Sequence, residues 1–81
     1  MEVNNMKLDP QELKAARMSQ GFTQEDIAEL IGVSGSAYAK KEQGITEFKV
    51  KEAFVIADFL EEPVDKIFCY ELENNSSNKA S

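Results

Sequence analysis

The feature that most constrains this chain is the repeated pairing of a helix start signal with a later glycine. Thr23 and Ser34 are residue types that cap helix N-termini, and each precedes a segment with helical spacing. Gly32 and Gly44 follow these segments, at the position where a left-handed residue commonly ends a helix. Asp9-Pro10 is expected to start an earlier helix. Such closely spaced signals favour short helices, and the sequence has no alternating strand pattern of useful length.

Five helices follow from this pattern. They are predicted at about residues 10–19, 24–31, 35–43, 50–60 and 64–68. The fourth is expected to bury an apolar stripe that includes Val50, Ala53, Phe54, Ala57 and Leu60. The predicted fold class is all-α, a compact five-helix bundle. A loose arm is expected at residues 1–8 and a polar disordered tail at residues 71–81.

Length and composition exclude several classes of protein. The 81 residues are enough for one small domain. A single cysteine and the lack of histidine exclude an internal disulfide and a Cys/His zinc site, so we expect no metal or cofactor. No phosphate loop or nucleophile elbow is present, which argues against an enzyme or a small-molecule substrate.

The sequence also gives no sign of a membrane association. The longest apolar run, residues 53–57, is far shorter than the roughly 20 residues that cross a bilayer. The N-terminal residues lack the basic start and long apolar segment of a signal peptide. We therefore expect a cytoplasmic protein that does not bind a membrane.

The net charge of −6 opposes binding to nucleic acid at long range. The charge is unevenly distributed, however. Residues 34–51 carry four lysines and two glutamates, a local net charge of +2. The mildly basic segment of an otherwise acidic chain therefore coincides with the third predicted helix and the loop after it.

The third helix is the segment that indicates a function. Gly32 permits a tight turn before it, Ala28 is small enough for a close approach, and Tyr38 supplies an inward anchor. Small and polar side chains occupy the outward positions at spacing i, i+3, i+4, i+7: Ser36, Ala39, Lys40 and Gln43. A projecting helix with such an outer side fits the major groove of DNA.

Two segments carry a family resemblance, GFTQEDIAELIGVSGSAYAKKEQG at 21–44 and EFKVKEAFVIADFLEEPVDKIF at 47–68. Together they resemble the helix-turn-helix domain of the phage Cro and repressor type, the xenobiotic-response-element-like regulators. The positions that carry the resemblance are Thr23-Gln24, Ala28, Gly32 and Glu42-Gln43-Gly44. The resemblance covers residues 10–68. It implies a lambda-repressor-like domain at residues 9–70, with the helix-turn-helix motif at 24–43.

The resemblance also implies contacts with double-stranded DNA. Gln24 matches the family's phosphate-contacting glutamine. The start of the recognition helix, which faces base edges, is matched by Ser34, Gly35 and Ser36. Later groove-facing positions are matched by Ala39 and Lys40, and positions near the DNA backbone by Gln43 and Lys49.

Three charged residues have further expected roles. Lys41, like Lys40, is a candidate for contact with a phosphate or a guanine edge. Alternatively, the Lys41 stem covers Tyr38 and its ammonium group stays in water. Arg17 and Glu42 match a structural ion pair that links the first helix to the end of the third.

The leading hypothesis is a sequence-specific DNA-binding transcriptional regulator, a repressor that binds a pseudo-palindromic operator as a homodimer. The dimer surface is expected at the fourth and fifth helices, with contributions from Phe59, Pro63, Val64, Phe68 and Tyr70. The alternative is a protein-interaction module on the same fold, similar to antitoxins or anti-repressors, whose acidic surface binds a basic protein.

Overall fold

The computed structural model describes residues 6–72, which form five helices and one two-stranded sheet. In chain order the elements are β1 Met6–Pro10, α1 Leu13–Ser19, α2 Gln24–Ile31, α3 Gly35–Glu42, α4 Val50–Leu60, α5 Val64–Ile67 and β2 Phe68–Leu72. The predicted all-α, five-helix fold class is confirmed, and the sheet is a minor addition to it. Residues 1–5 and 73–81, which include most of the expected arm and tail, lie outside the described residues.

The sheet corrects the sequence prediction at both ends of the domain. β1 pairs antiparallel with β2, with Leu8 opposite Tyr70 and Pro10 opposite Phe68. Residues 6–8 of the expected arm and residues 71–72 of the expected tail are therefore strand residues. Because the pairing joins segments about sixty positions apart, no local sequence pattern indicates it. The buried side chain of Leu8 anchors the pairing to the core.

The predicted helix start at Asp9-Pro10 is wrong, because both residues belong to β1. α1 begins three residues later, after Glu12, whose side chain makes no capping hydrogen bond. The backbone N–H groups of Gln11 and Glu12 instead donate to the carbonyl oxygen of Ile67, at 2.9 and 3.4 Å. A tertiary contact thus satisfies amides that the prediction assigned to a local cap.

The starts of α2 and α3 match their sequence signals. Thr23 Oγ1 accepts a hydrogen bond from the Asp26 N–H at 3.0 Å, and Asp26 Oδ2 accepts one from the Thr23 N–H at 2.8 Å. Ser34 Oγ accepts from the Ala37 N–H at 3.1 Å. Gly32 ends α2 with a φ of 77°, a left-handed conformation in which a side chain would cause strain. These contacts fix the turn between the two helices.

The core lies between the helices and the start of β2. Its fully buried large side chains are Leu13, Ile27, Tyr38, Ile56, Leu60, Ile67 and Phe68. The burial of Phe68 contradicts its expected role in a dimer surface, because a side chain with 0% exposure has no surface to offer. The β pairing explains this difference, since it turns Phe68 into the core at the start of β2.

The outer side of α4 also differs from the prediction. Ala53, Ala57 and Leu60 are buried as expected of the fourth helix, and Ile56 is buried with them. Val50 and Phe54, which were assigned to the same stripe, are 48% and 57% exposed. α4 therefore packs on the core with one side and presents large apolar side chains to solvent on the other.

Candidate nucleic-acid interface

α3 presents one polar side to solvent. Tyr38 is completely buried and holds the helix against the core. The opposite side carries exposed polar side chains, from Ser34 at the N-cap to Gln43 at the C-cap, with Ser36 and Lys40 between them. Ala39 is partly exposed beside them. The structure thus places the sequence-predicted outer side of α3 at the surface of the domain.

A cluster of hydrogen bonds around Glu42 fixes the far end of α3. Arg17 donates to both carboxylate oxygens of Glu42, from Nε at 2.8 Å and from Nη2 at 3.1 Å. Tyr38 Oη and Gln24 Nε2 donate to the same carboxylate at 2.8 and 2.9 Å. Arg17 Nη1 also donates to the carbonyl oxygen of Phe22 at 2.7 Å. This carboxylate therefore connects α1, α2 and α3.

The electrostatics of the cluster keep Glu42 ionised. Burial acts to raise the pKa of Glu42, but hydrogen bonds from Arg17, Gln24 and Tyr38 and the positive charge of Arg17 outweigh it, so the pKa is lowered. The hydrogen bond to Glu42 raises the pKa of Arg17 against the effect of burial. Burial, followed by the hydrogen bond to the Glu42 carboxylate, raises the pKa of Tyr38 and keeps the hydroxyl protonated as a donor.

Gln24 lies in the first turn of α2 and contacts Glu42 as well as solvent. The prediction assigned it to a DNA phosphate. Its side-chain amide carries two N–H donors, and the Glu42 carboxylate uses one of them. The contact holds the amide beside the start of α2, so Gln24 has a structural role that the sequence did not indicate.

Lys41 is directed into the domain rather than toward a ligand. Its Nζ donates to the carbonyl oxygen of Glu47 at 2.9 Å and lies 3.1 Å from Glu52 Oε1. The same ammonium group lies 5.6 Å from the centre of the Phe48 ring. With a side chain only 13% exposed, Lys41 fits neither a DNA contact nor an ammonium group left in water. The physical reason is its place one turn after Tyr38, on the inner side of α3.

The remaining lysines of the basic segment differ from Lys41. Lys40, Lys49 and Lys51 are all exposed. Because Lys41 and Glu42 are engaged in ion pairs, Lys40 is the α3 residue whose charge faces solvent. The exposed side of α3 itself therefore carries one positive charge, that of Lys40, despite the acidic composition of the chain.

Glu25 also lies at this surface, although no role in the interface was predicted for it. A Cβ atom at Gly35 would lie 3.0 Å from Glu25 Cγ and 3.5 Å from Glu25 Oε2. The lack of a side chain at Gly35 thus allows Glu25 to lie across the first turn of α3. The glycine was the available signal, since it marks a close approach between α2 and α3.

The residues expected at a dimer surface occupy different environments. Phe59 is partly exposed, and the centre of its ring lies 4.8 Å from that of Phe22. Pro63 is exposed, whereas Val64 is half-buried against the core. The side chain of Tyr70 lies outside the described part of the chain. Phe68 is buried in the core. Among the residues predicted for the dimer surface, Phe59 and Pro63 are therefore the described positions that lie at the surface.

Two absences apply to the part of the chain that the structure describes. Between residues 6 and 72 no helix combines the length and the apolarity that crossing a bilayer requires. Within the same residues no three side chains of His, Cys, Asp or Glu come together in a group that could hold a metal ion.

Comparison with known proteins agrees with this geometry. A family model described as helix-turn-helix matches residues 13–67, which span α1 to α5. An uncharacterized HTH-type transcriptional regulator of Methanocaldococcus jannaschii is 39% identical over 59 residues, 73% of this chain and 89% of that protein. The chain therefore belongs to the helix-turn-helix family of the phage Cro and repressor type.

Proposed function

We propose that this protein is a sequence-specific DNA-binding transcriptional regulator that contacts DNA through the outer side of α3. The observation that carries the proposal is the exposed polar side of a helix whose other side is fixed by buried Tyr38 and the Glu42 cluster. An α-helix is about 10–12 Å across with its side chains, so α3 can enter a major groove about 12 Å wide. The family membership and the naming of the Methanocaldococcus jannaschii relative as an HTH-type transcriptional regulator support the same function.

The proposed contacts divide into two groups. Ser36 and Lys40 face base edges, where a lysine prefers guanine and a serine accepts several bases. Ser34, Gly35 and Ala39 lie beside them and allow close approach to the groove. The proposed phosphate contacts come from Gln24, Gln43 and Lys49. Lys41 is left out of this set because of its internal contacts.

We further propose that the protein is a repressor and acts as a homodimer in the cytoplasm. One short helix contacts few base pairs, and a second copy doubles those contacts. Two copies related by a two-fold axis would place their α3 helices about 34–36 Å apart, one turn of DNA, on a pseudo-palindromic operator. Occupation of a promoter by such a dimer blocks transcription sterically.

The proposal predicts that non-specific binding to DNA is weak, so that contacts specific to the operator supply a larger share of the affinity. The net charge of −6 and the exposed carboxylate of Glu25 beside α3 both oppose contact with arbitrary DNA. With about two to four phosphate contacts per subunit, the dependence of affinity on salt concentration should be modest.

The test is selection from a pool of random duplexes with the purified full chain, followed by anisotropy titration at several salt concentrations. A regulator selects a motif with two-fold symmetry, binds it with a modest salt slope and binds random DNA weakly. Failure to select any motif contradicts the proposal and favours a module that binds a basic protein. Tight binding to random DNA with a steep salt slope contradicts the predicted weak non-specific binding.

A further inference from the structure

The outer side of α4 is an exposed apolar surface, and at its C-terminal end the ring of Phe59 also packs against Phe22. Four apolar side chains are exposed along it: Val50, Phe54, Val55 and Phe59. Two charged residues, Lys51 and Asp58, are exposed between them. We call these six residues the α4 outer face. Exposed apolar groups that follow one helix in this way are typical of an interaction surface.

The charges on this face follow a regular arrangement. Lys51 and Asp58 are seven positions apart, so they lie on one line along the helix, about two turns from each other. At roughly 100° per residue this line runs down the middle of the α4 outer face. Phe54 falls on one side of the line and Val55 on the other. The face therefore has a positive end, a negative end and an apolar band on each side of the centre.

We propose that the α4 outer face binds the same face of a second copy of this chain, with the two helices antiparallel. A two-fold axis that passes between positions 54 and 55 brings each Lys51 opposite Asp58 of the other copy. It also brings the two copies of Phe54 together near the axis, and likewise the two copies of Val55. Each ion pair then lies beside apolar side chains that pack against one another.

The charges favour the antiparallel orientation over a parallel one. In a parallel arrangement each Lys51 would meet Lys51 of the other copy, and each Asp58 would meet Asp58, which is repulsive. DNA fits this face poorly, because its one cation, Lys51, lies beside apolar side chains and shares the face with the carboxylate of Asp58, which repels a phosphate. A second copy satisfies both the charges and the apolar groups of the face.

The proposal deepens the proposed homodimeric regulator and rests on it only for the biological use of the dimer. The proposal also places the dimer interface on the α4 outer face, whereas the sequence predicted a dimer surface formed by the fourth and fifth helices together. Phe59 belongs to both surfaces, but Phe68 is in the core and is replaced by Phe54 and Val55 on α4.

A charge-swap experiment without DNA tests the proposal. Sedimentation equilibrium would be measured for the full chain, for Lys51→Asp, for Asp58→Lys and for an equimolar mixture of the two variants. Each variant alone places like charges opposite each other, so we expect its dimer dissociation constant to rise about tenfold or more. The mixture should form a heterodimer with an affinity near that of the wild type. In that heterodimer the two carboxylates on the face of one variant lie opposite the two ammonium groups on the face of the other.

Two further variants complete the test. Phe54→Ser should weaken the dimer, while Lys66→Asp, a matched charge change on the exposed part of α5, should leave it unchanged. Recovery in the mixture also shows that both single variants are folded. A monomeric wild-type chain overturns the proposal, as do single variants that dimerise normally or a mixture that shows no recovery. Selection of DNA motifs is scored separately, so a monomer that selects a half-site refutes this interface and leaves DNA recognition intact.

Discussion

At the scale of single residues, the carboxylate of Glu42 accepts more side-chain hydrogen bonds than any other group that the structure describes. Its four hydrogen bonds come from Arg17, Gln24 and Tyr38, which belong to three different helices. The guanidinium and the carboxylate are both more than nine-tenths buried. Burying two charges carries a large desolvation cost, which is offset only while each charge keeps its partner.

A double-mutant cycle should show this dependence. We expect Arg17→Met and Glu42→Met each to lower the free energy of unfolding by about 3 kcal/mol, because each leaves one buried charge without a partner. The double variant should lose less than either single variant. Urea unfolding monitored by circular dichroism measures all four corners of the cycle.

The matched control for this cycle is an exposed ion pair between Lys66, which lies on α5, and Glu62, which precedes α5. The Lys66 Nζ and Glu62 Oε1 atoms are 3.1 Å apart. Lys66→Met should change the free energy of unfolding by at most about 0.5 kcal/mol, since exposed pairs contribute little. Equal and additive losses for the Arg17 and Glu42 variants would contradict the account of the buried pair.

Because the pKa of Glu42 is lowered in the folded state, the free energy of unfolding should depend on pH in the acidic range. A carboxyl whose pKa is lower in the folded state contributes stability above its unfolded pKa and loses it as pH falls through the folded pKa. The contribution of Glu42 should therefore be complete above about pH 4.5, its ordinary value, and decline below it. The free energy of unfolding measured from pH 7 to pH 3 should fall less steeply for Glu42→Gln than for the wild type. Parallel curves for the two proteins would contradict the prediction.

At the scale of the elements, local signals predicted α2 and α3 well because their ends are fixed by local contacts. The Thr23 and Ser34 caps and the left-handed Gly32 involve only residues within a few positions of each other. β1, β2 and the true start of α1 depend on pairing between distant segments, which local patterns do not encode. Likewise, helical spacing identified the apolar positions of α4 but not which of them the other helices cover.

The cap of α3 gives a prediction at this scale. Ser34→Ala removes the acceptor for the Ala37 N–H, so we expect the free energy of unfolding to fall by about 1 kcal/mol. Ser36→Ala is the matched control, because Ser36 is an exposed serine two positions later, inside the helix, and its effect should stay within about 0.5 kcal/mol. Thermal unfolding of the two variants makes the comparison. A loss for Ser36→Ala as large as that for Ser34→Ala would count against the cap.

At the scale of the whole molecule, the domain exposes two surfaces with different chemistry. The outer side of α3 is polar and carries the positive charge of Lys40, and the α4 outer face is apolar with one charge of each sign. The sequence indicated the first surface because residue types and helical spacing agree there. It misassigned Lys41 and Phe68, and it did not indicate that the Glu25 side chain occupies the space where a side chain at position 35 would lie. Each of these depends on which neighbouring element covers a side chain, and that is decided only by the packed fold.

The central claim is that the outer side of α3 recognises DNA, and an anisotropy titration of α3 variants tests it most directly. Wild type, Lys40→Ala, Ser36→Ala and the control Lys66→Ala would each be titrated with a duplex that carries the selected motif and with a shuffled duplex. We expect Lys40→Ala to lose roughly 1–3 kcal/mol of binding free energy on the motif and Ser36→Ala to lose less, with reduced discrimination between the duplexes. Lys66→Ala should bind like the wild type. Unchanged affinity and discrimination in both α3 variants would contradict the account.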